Sequence, residues 1–201
     1  MGYIAVIDYG VGNLMSVTNA LQYIGRESKI TDQASDLERA DGIIPGVGAF
    51  PDAAEKLQQT GLVATLKEQA AKKPVLGICL GMQLLFDWSS EVRKTDGLGF
   101  VSGQVELIET DLKLPHIGWN SLQFPNPSPL FAGLDEGCYV YFVHSFCGSA
   151  ARQENVIATT DYGGEVLAAV QSGNVFGTQF HPEKSGDVGM QILKNFGGLT
   201  K

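Results

Sequence analysis

Residues Tyr3–Tyr9, YIAVIDY, form a continuous apolar run, and after it Leu14, Val17, Leu21 and Ile24 recur at helical spacing before Gly25. An unbroken apolar run of this length marks a strand covered on both faces, and a one-sided stripe marks an amphipathic helix that a glycine can end. The alternation continues. SKITD reads as a second strand, GIIPG as a short third, and Leu62, Leu66 and Ala70 as a helix stripe ended before Pro74. VLGIC then reads as a strand and LGMQLLFDW as the helix behind it. Strand–helix repetition of this kind implies a parallel sheet with helices on both faces.

The second half changes character. GQVELIE, YVYFVHSF, VIATTDY, EVLAAVQ and NVFGTQF are strand-like, and the turn segments DYGGE and QSGN separate the last three. These read as antiparallel additions, followed by a helix from about Gly186 with Val188, Ile192, Leu193 and Phe196 on one face. The expected fold is an α/β, open, largely parallel central sheet with an antiparallel extension. With 201 residues and no repeat or linker, a single domain over 1–201 is expected.

Charge and composition exclude several classes. A net charge of −8 and a pI near 4.8 give little of the basic face that nucleic-acid binding needs. The longest apolar stretch is short and glycine-broken, so no membrane span is expected. MGYIAVIDYG lacks a basic n-region, so no signal peptide is expected, and Val6 stands where a myristoylation motif needs Ser or Thr. Three irregularly spaced cysteines are no disulfide framework, and the expected compartment is the reducing cytoplasm. Three scattered histidines lack ligand spacing, so neither a metal nor a cofactor is expected.

The chemistry concentrates at Cys79. In GICLG, Gly77 and Gly81 stand two residues either side of it, the cysteine form of the nucleophile elbow. Such a turn is strained, and side chains at the flanking positions would clash. A helix starting beyond Cys79 would favour the thiolate and leave the Leu80 N–H for an oxyanion. A buried structural cysteine fits the spacing equally well, so a base has to decide. His181 lies at the end of the last strand with Glu183 two residues on. In extended backbone, which Pro182 favours at His181, positions i and i+2 share a side, so Glu183 can orient and charge-stabilise the imidazole. PGVGAF, Pro45–Phe50, adds a glycine loop at a strand end, where backbone N–H groups can face developing negative charge. A competing reading takes GVGNLM, with Asp32 about 20 residues on, as a dinucleotide site. There Met15 replaces the third glycine, and Cys79, His181 and Glu183 are left without a role.

Taken together, PGVG, GICLGMQ and FHPE resemble the class I, triad-type glutamine amidotransferases, and the resemblance covers nearly the whole chain. It implies a flavodoxin-like fold and a triad of Cys79, His181 and Glu183 that cuts ammonia from the glutamine side chain through a cysteine thioester. It also implies oxyanion donors at Leu80 and Val47. Substrate contacts are implied from Gly48, Gln83, Glu91 and the backbone of Ser145 and Phe146. Phe146 departs from the family, where tyrosine is commoner, at a position expected to act through its backbone.

IDYGVGNL, PHIGWN and YFVHSF resemble those members of the family that pass ammonia to a separate cyclase subunit, a (β/α)8 barrel, as a heterodimer. Trp119, Tyr141 and Lys184 are the implied interface residues, and His116 and His144 are expected beside the site or at the interface. Gly46 and Gly48 make the Val47 peptide easy to reorient, and Asn13 could hold one arrangement, so the oxyanion hole is expected to be gated. Amidotransferases of other pathways and stand-alone hydrolases share the triad. YGVGNL and HIGWN argue against the former, and dependence on a partner would separate the latter.

Overall fold

The computed structural model describes residues 2–10, 14–46 and 50–200. Strands β1 (Ile4–Ile7), β2 (Ser28–Thr31), β3 (Gly42–Ile44) and β4 (Val75–Ile78) alternate with helices α1 (Leu14–Tyr23), α2 (Ala34–Arg39), α3 (Phe50–Gln59) and α4 (Val63–Ala70). A single turn, α5 (Leu80–Gln83), follows β4. The second half holds β5 (Phe86–Ser89), β6 (Thr95–Asp96), β7 (Val101–Leu107), β8 (His116–Ser121), β9 (Tyr139–His144), β10 (Phe146–Ala150), β11 (Val156–Asp161), β12 (Glu165–Ser172), β13 (Val175–Thr178) and α6 (Gly186–Leu199). Among the described residues no helix is long and apolar enough to cross a membrane.

Seven strands form the main sheet in the order β11-β12-β13-β4-β3-β1-β2, parallel from β13 to β2 and antiparallel in β11 and β12. The continuous apolar run of β1 has a direct cause. Ala5 and Ile7 pack with Leu37 of α2, Phe50 and Leu57 of α3 and Leu66 of α4. Ile4 and Val6, on the other face, pack with Val17 and Leu21 of α1 and with Ile192 and Phe196 of α6. Both faces of a period-two strand are therefore buried, and Ile4, Val6 and Ile7 each contribute roughly 1.5–3 kcal/mol.

Three expectations need correction. LGMQLLFDW is not one helix: only Leu80–Gln83 is helical, and Phe86–Ser89 is strand β5. Its apolar run is too short for periodicity to separate helix from strand. Tertiary pairing decides, because β5 lies parallel to β7 with Phe86 fully buried. Second, NVFGTQF is antiparallel to β12 but parallel to β4, and so joins the central sheet. Third, GQVELIE and YVYFVHSF leave the main sheet. They supply a four-stranded sheet, β10-β7-β5-β6, and a ribbon in which β9 pairs with β8, the HIGWN segment. Helices α2 and α3 are additional to the sequence reading.

The β4–β13 register sets up the site. Gly77 lies opposite Gly177 and Ile78 opposite Thr178. The residues that follow, Cys79 on one strand and Gln179 to His181 on the other, thus leave the same carboxyl edge, where open α/β sheets bind ligands.

Candidate active site

Cys79 has φ 53° and ψ −108°, a positive φ that non-glycine residues seldom adopt. Its neighbours hold it there. The Cys79 N–H donates to the Thr178 carbonyl at 2.7 Å, and the Met82 and Gln83 N–H groups return to the Cys79 carbonyl at 3.0 and 3.2 Å. A Cβ on Gly77 would lie 2.6 Å from the Met82 nitrogen, and one on Gly81 would lie 3.2 Å from the Gly46 carbonyl oxygen. Gly77 is thus required by close backbone approach, and Gly81 brings the loop after β3 into tight contact with the elbow. Gly46 is itself confined, since a Cβ there would meet the Ile7 oxygen at 2.7 Å and the Tyr9 ring at 2.9 Å. The helix behind Cys79 is only four residues long. Its macrodipole is correspondingly small, and the open N–H groups of its first turn are what it offers the sulfur.

His181 has extended backbone, φ −99° and ψ 97°, as expected before proline. Glu183 reaches it by a different route from the one the sequence suggests. Pro182–Lys184 is a 3-10 turn, and it curls the carboxylate back so that His181 Nδ1 and Glu183 Oε1 stand 2.7 Å apart. With Nδ1 engaged, Nε2 is the nitrogen left for the sulfur. Burial opposes the imidazolium, but the hydrogen bonds and charges of Cys79 and Glu183 outweigh it and push the His181 pKa up to about 9. Ser185 pins this turn to β9: its hydroxyl donates to the His181 carbonyl at 2.6 Å and accepts the Tyr141 N–H at 3.0 Å.

The Glutamine amidotransferase class-I family model matches residues 5–198. The chain belongs to the class I glutamine amidotransferases. It is 50% identical over 200 residues to the imidazole glycerol phosphate synthase subunit HisH of Bacillus cereus (strain G9842), covering 98% of this chain and 95% of the relative. It is 48% identical to the HisH of Moorella thermoacetica, again over 98% of this chain and 95% of the relative. In fold it is similar to a solved glutamine amidotransferase, with a TM-score of 0.77 at 19% identity, covering 98% of this chain and all of that one. A putative GMP synthase subunit from Thermoplasma acidophilum gives 0.73 at 22% identity, covering 99% of this chain and 94% of that one.

Several of the other residues the sequence singles out can be placed relative to Cys79 and His181. Gln83 is buried one turn beyond Cys79, and its Nε2 donates to the Phe146 carbonyl at 2.9 Å and to Gln179 Oε1 at 3.0 Å. Gln179, which the sequence reading passes over, donates in turn from Nε2 to Cys79 Sγ at 3.7 Å. Its signal was its place two residues before His181 on the same strand end. Glu91 lies in the turn after β5, where its Oε2 accepts the N–H of Phe50, the first residue of α3, at 3.2 Å. Ser145 and Phe146 form the corner between β9 and β10, with the Ser145 carbonyl taken by the Ile108 N–H at 2.9 Å. Val47, Gly48 and Asn13 lie outside the described residues.

Trp119 is 54% exposed, so it is no core tryptophan. It stands opposite Tyr141 in the β8–β9 register, with ring centroids 6.2 Å apart in edge-on contact. A Cβ on Gly186 would reach the Trp119 ring at 3.9 Å, so this pair borders the turn that carries His181, Glu183 and the exposed Lys184.

His116 and His144 belong to no exposed surface: they are 2% and 6% exposed. His116 Nδ1 and His144 Nε2 are 3.1 Å apart, and His144 Nδ1 is 2.9 Å from the Phe146 carbonyl. A carbonyl only accepts, so His144 carries its proton on Nδ1, and its Nε2 accepts a hydrogen bond from the His116 Nδ1–H. Burial pushes the His144 pKa down to about 4, against the Phe146 carbonyl, which favours the charged form. A histidine depressed in the fold contributes stability above its unfolded value, near 6.5, which is lost as pH falls from there through about 4. We therefore expect His144→Gln to flatten the acid limb of stability. Denaturant titrations of parent and variant from pH 7 to pH 4 should converge by about 3 kcal/mol or less, and parallel curves would contradict the assignment.

Proposed function

We propose that this chain is the glutaminase subunit of imidazole glycerol phosphate synthase, a single amidotransferase domain over 1–201 that supplies ammonia for histidine biosynthesis in the cytoplasm. The observation that carries the reaction is a glycine-flanked cysteine at positive φ, set beside a histidine whose Nδ1 is 2.7 Å from a buried glutamate oxygen. The step of the pathway rests on relatives 48–50% identical that are named as this subunit.

The chemistry follows from the charge states. At neutral pH an imidazole with a pKa near 9 is protonated and engages Cys79, and the thiolate is the form in which a cysteine attacks. The thiolate attacks the side-chain carbonyl carbon of glutamine. The resulting oxyanion is met by the N–H groups of Leu80 and Val47. His181 gives its Nε2 proton to the leaving nitrogen as the C–N bond breaks, releasing NH3 and leaving a γ-glutamyl thioester. Neutral His181 then takes a proton from water, which attacks the thioester. Glutamate leaves and the thiolate–imidazolium pair is restored. Glu183 holds the imidazole in one tautomer throughout. Gly48, Gln83, Glu91 and the Ser145–Phe146 backbone bind the substrate, with Glu91 meeting its α-ammonium by charge.

Free ammonia in water is mostly ammonium, which is no nucleophile, so it must reach its acceptor without meeting solvent. The acceptor is a (β/α)8-barrel cyclase subunit docked over the site as a heterodimer, with Trp119, Tyr141 and Lys184 at its edge and Trp119 as an anchor. Reorientation of the Val47 peptide between Gly46 and Gly48, held by Asn13, couples the two sites. Glutamate release tests the proposal when measured for this chain alone and then with the cyclase subunit and its nucleotide ligand. Low activity alone and strong stimulation in the complex are expected. Rapid turnover alone, unmoved by the partner, would overturn the assignment to a partnered subunit.

A further inference from the structure

Gln179 is fully buried, and its backbone N–H is fixed to the Ala168 carbonyl at 2.8 Å. The orientation of its side-chain amide is determined by the bonds around it. The Phe146 carbonyl can only accept, so the group of Gln83 that meets it at 2.9 Å must be nitrogen. The same Gln83 nitrogen then donates to Gln179 at 3.0 Å, which makes that atom of Gln179 its oxygen. Gln179 is left presenting N–H to Cys79 Sγ at 3.7 Å. Behind Phe146 the chain continues through His144 and His116 to Asn120, whose Nδ2 is 3.3 Å from His116 and 2.8 Å from the Asp161 carbonyl. With both imidazoles neutral, the two terminal carbonyls give each bond in the series one sense, and the series terminates on the sulfur.

We propose that Gln179 is a positioning residue of the glutaminase site, whose amide N–H, oriented by Gln83 and the Phe146 carbonyl, holds and stabilises the Cys79 thiolate. This rests on Cys79 being the nucleophile, as above. A donor aimed at the sulfur favours its anionic form over the thiol. A donor locked in a buried network does so without reorganising during reaction. Gln179 thus complements His181: the imidazolium gives its proton away in the reaction, whereas the amide keeps its own. The ionisable group that meets the sulfur is His181, with Glu183 behind it on the same turn, and from β9 His144 acts on His181 by charge. Strand β4, helix α5 and strand β13 carry no ionisable side chain.

The test is the pH profile of Cys79 alkylation by iodoacetamide in the full chain, read at the Cys79 peptide by mass spectrometry. It needs neither glutamine nor the cyclase, so it stands apart from the pathway assignment. Burial raises the thiol pKa of Cys138 and Cys147, the latter to about 11, and peptide-level reading separates them. Gln179→Met keeps the volume and removes the donor. Its alkylation midpoint should move up by about half to one pH unit, the scale of one hydrogen bond. On the acid side of the midpoint, where the rate follows the thiolate fraction, it should fall about two- to fourfold, because a more basic sulfur regains part of its nucleophilicity. Gln83→Met, which frees the Gln179 oxygen, should shift the profile the same way by less, and it carries the test if the first variant does not fold. Melting temperature reports any purely structural role. A lowered melting temperature with an unmoved alkylation profile in either folded variant overturns the proposal.

Discussion

Cys79→Ala should abolish glutamate release, by about 10⁴-fold or more, with or without a partner, while the chain stays folded. Among the described residues no other group near the sulfur can take its place. His181 is charged at neutral pH, Gln179 is a neutral amide, and Glu183 is buried against the imidazole. Cys79→Ser should be strongly impaired as well, because a hydroxyl, unlike a thiol, supplies no ready anion near neutral pH and reaches its nucleophilic form only by giving its proton to a base. The variants also report on the pair. Burial alone lowers the imidazole pKa, and Cys79 and Glu183 raise it, so deleting the sulfur should bring the His181 titration down from about 9. Linkage gives this a second reading. A histidine raised in the fold stabilises it fully below its unfolded pKa, near 6.5, and that contribution is lost as pH rises through about 9. The alkaline decline in stability should therefore be shallower in Cys79→Ala than in the parent. An alanine variant that keeps a tenth of the parent glutaminase rate would remove Cys79 from the mechanism.

Gly77→Ala should cost several kcal/mol, of the order of the larger overpacking penalties, and lower the melting temperature by about 10 °C or more. The new methyl would lie 2.4 Å from the Gly81 oxygen, 2.5 Å from the Gly81 carbon and 2.6 Å from the Met82 nitrogen. All three are backbone atoms of the turn that carries Cys79, so no side chain can swing aside. Relief must come from moving α5 away from β4, which displaces the sulfur and the Leu80 N–H together. A displacement near 1 Å at a reacting centre is worth about 10²-fold in rate, so residual activity should fall with stability. Gly198→Ala is the matched control. Gly198 is an exposed residue of α6 with nothing within 4 Å of the added methyl, and the change should be neutral or stabilising by up to about 1 kcal/mol. Equal melting temperatures for parent and Gly77→Ala would contradict this account of the elbow.

Much of the site could be read before any coordinates. The unbroken apolar run of β1 requires two covered faces, and it has them in the two helical layers. The glycines of GICLG require a turn whose backbone touches itself, and the fold has that contact. The pairing of His181 with Glu183 was also legible, though through the wrong geometry: His181 is the extended N-cap of a 3-10 turn, and that turn carries Glu183 back to it. Short segments without a full period were not legible. LGMQLLFDW could be divided into a helical turn and a strand only by β7, a partner some 15 residues away.

Gln179 is the sharpest case of what local sequence cannot carry. Read alone, it is a glutamine between apolar neighbours near a histidine, with nothing to say where its amide points. The parallel pairing of β4 with β13 carries it to the sulfur, 100 residues away in sequence, and Gln83 and the Phe146 carbonyl then orient it. The sequence by itself determined the chemistry available here, because side-chain type and backbone permissiveness are local properties: a thiol between glycines, an imidazole before proline, a carboxylate two residues on. Only the tertiary structure decided which polar groups meet. Hydrogen bonds are short and directional, and residues 28, 63 and 100 positions apart come within their reach only once the sheet and its crossovers are closed.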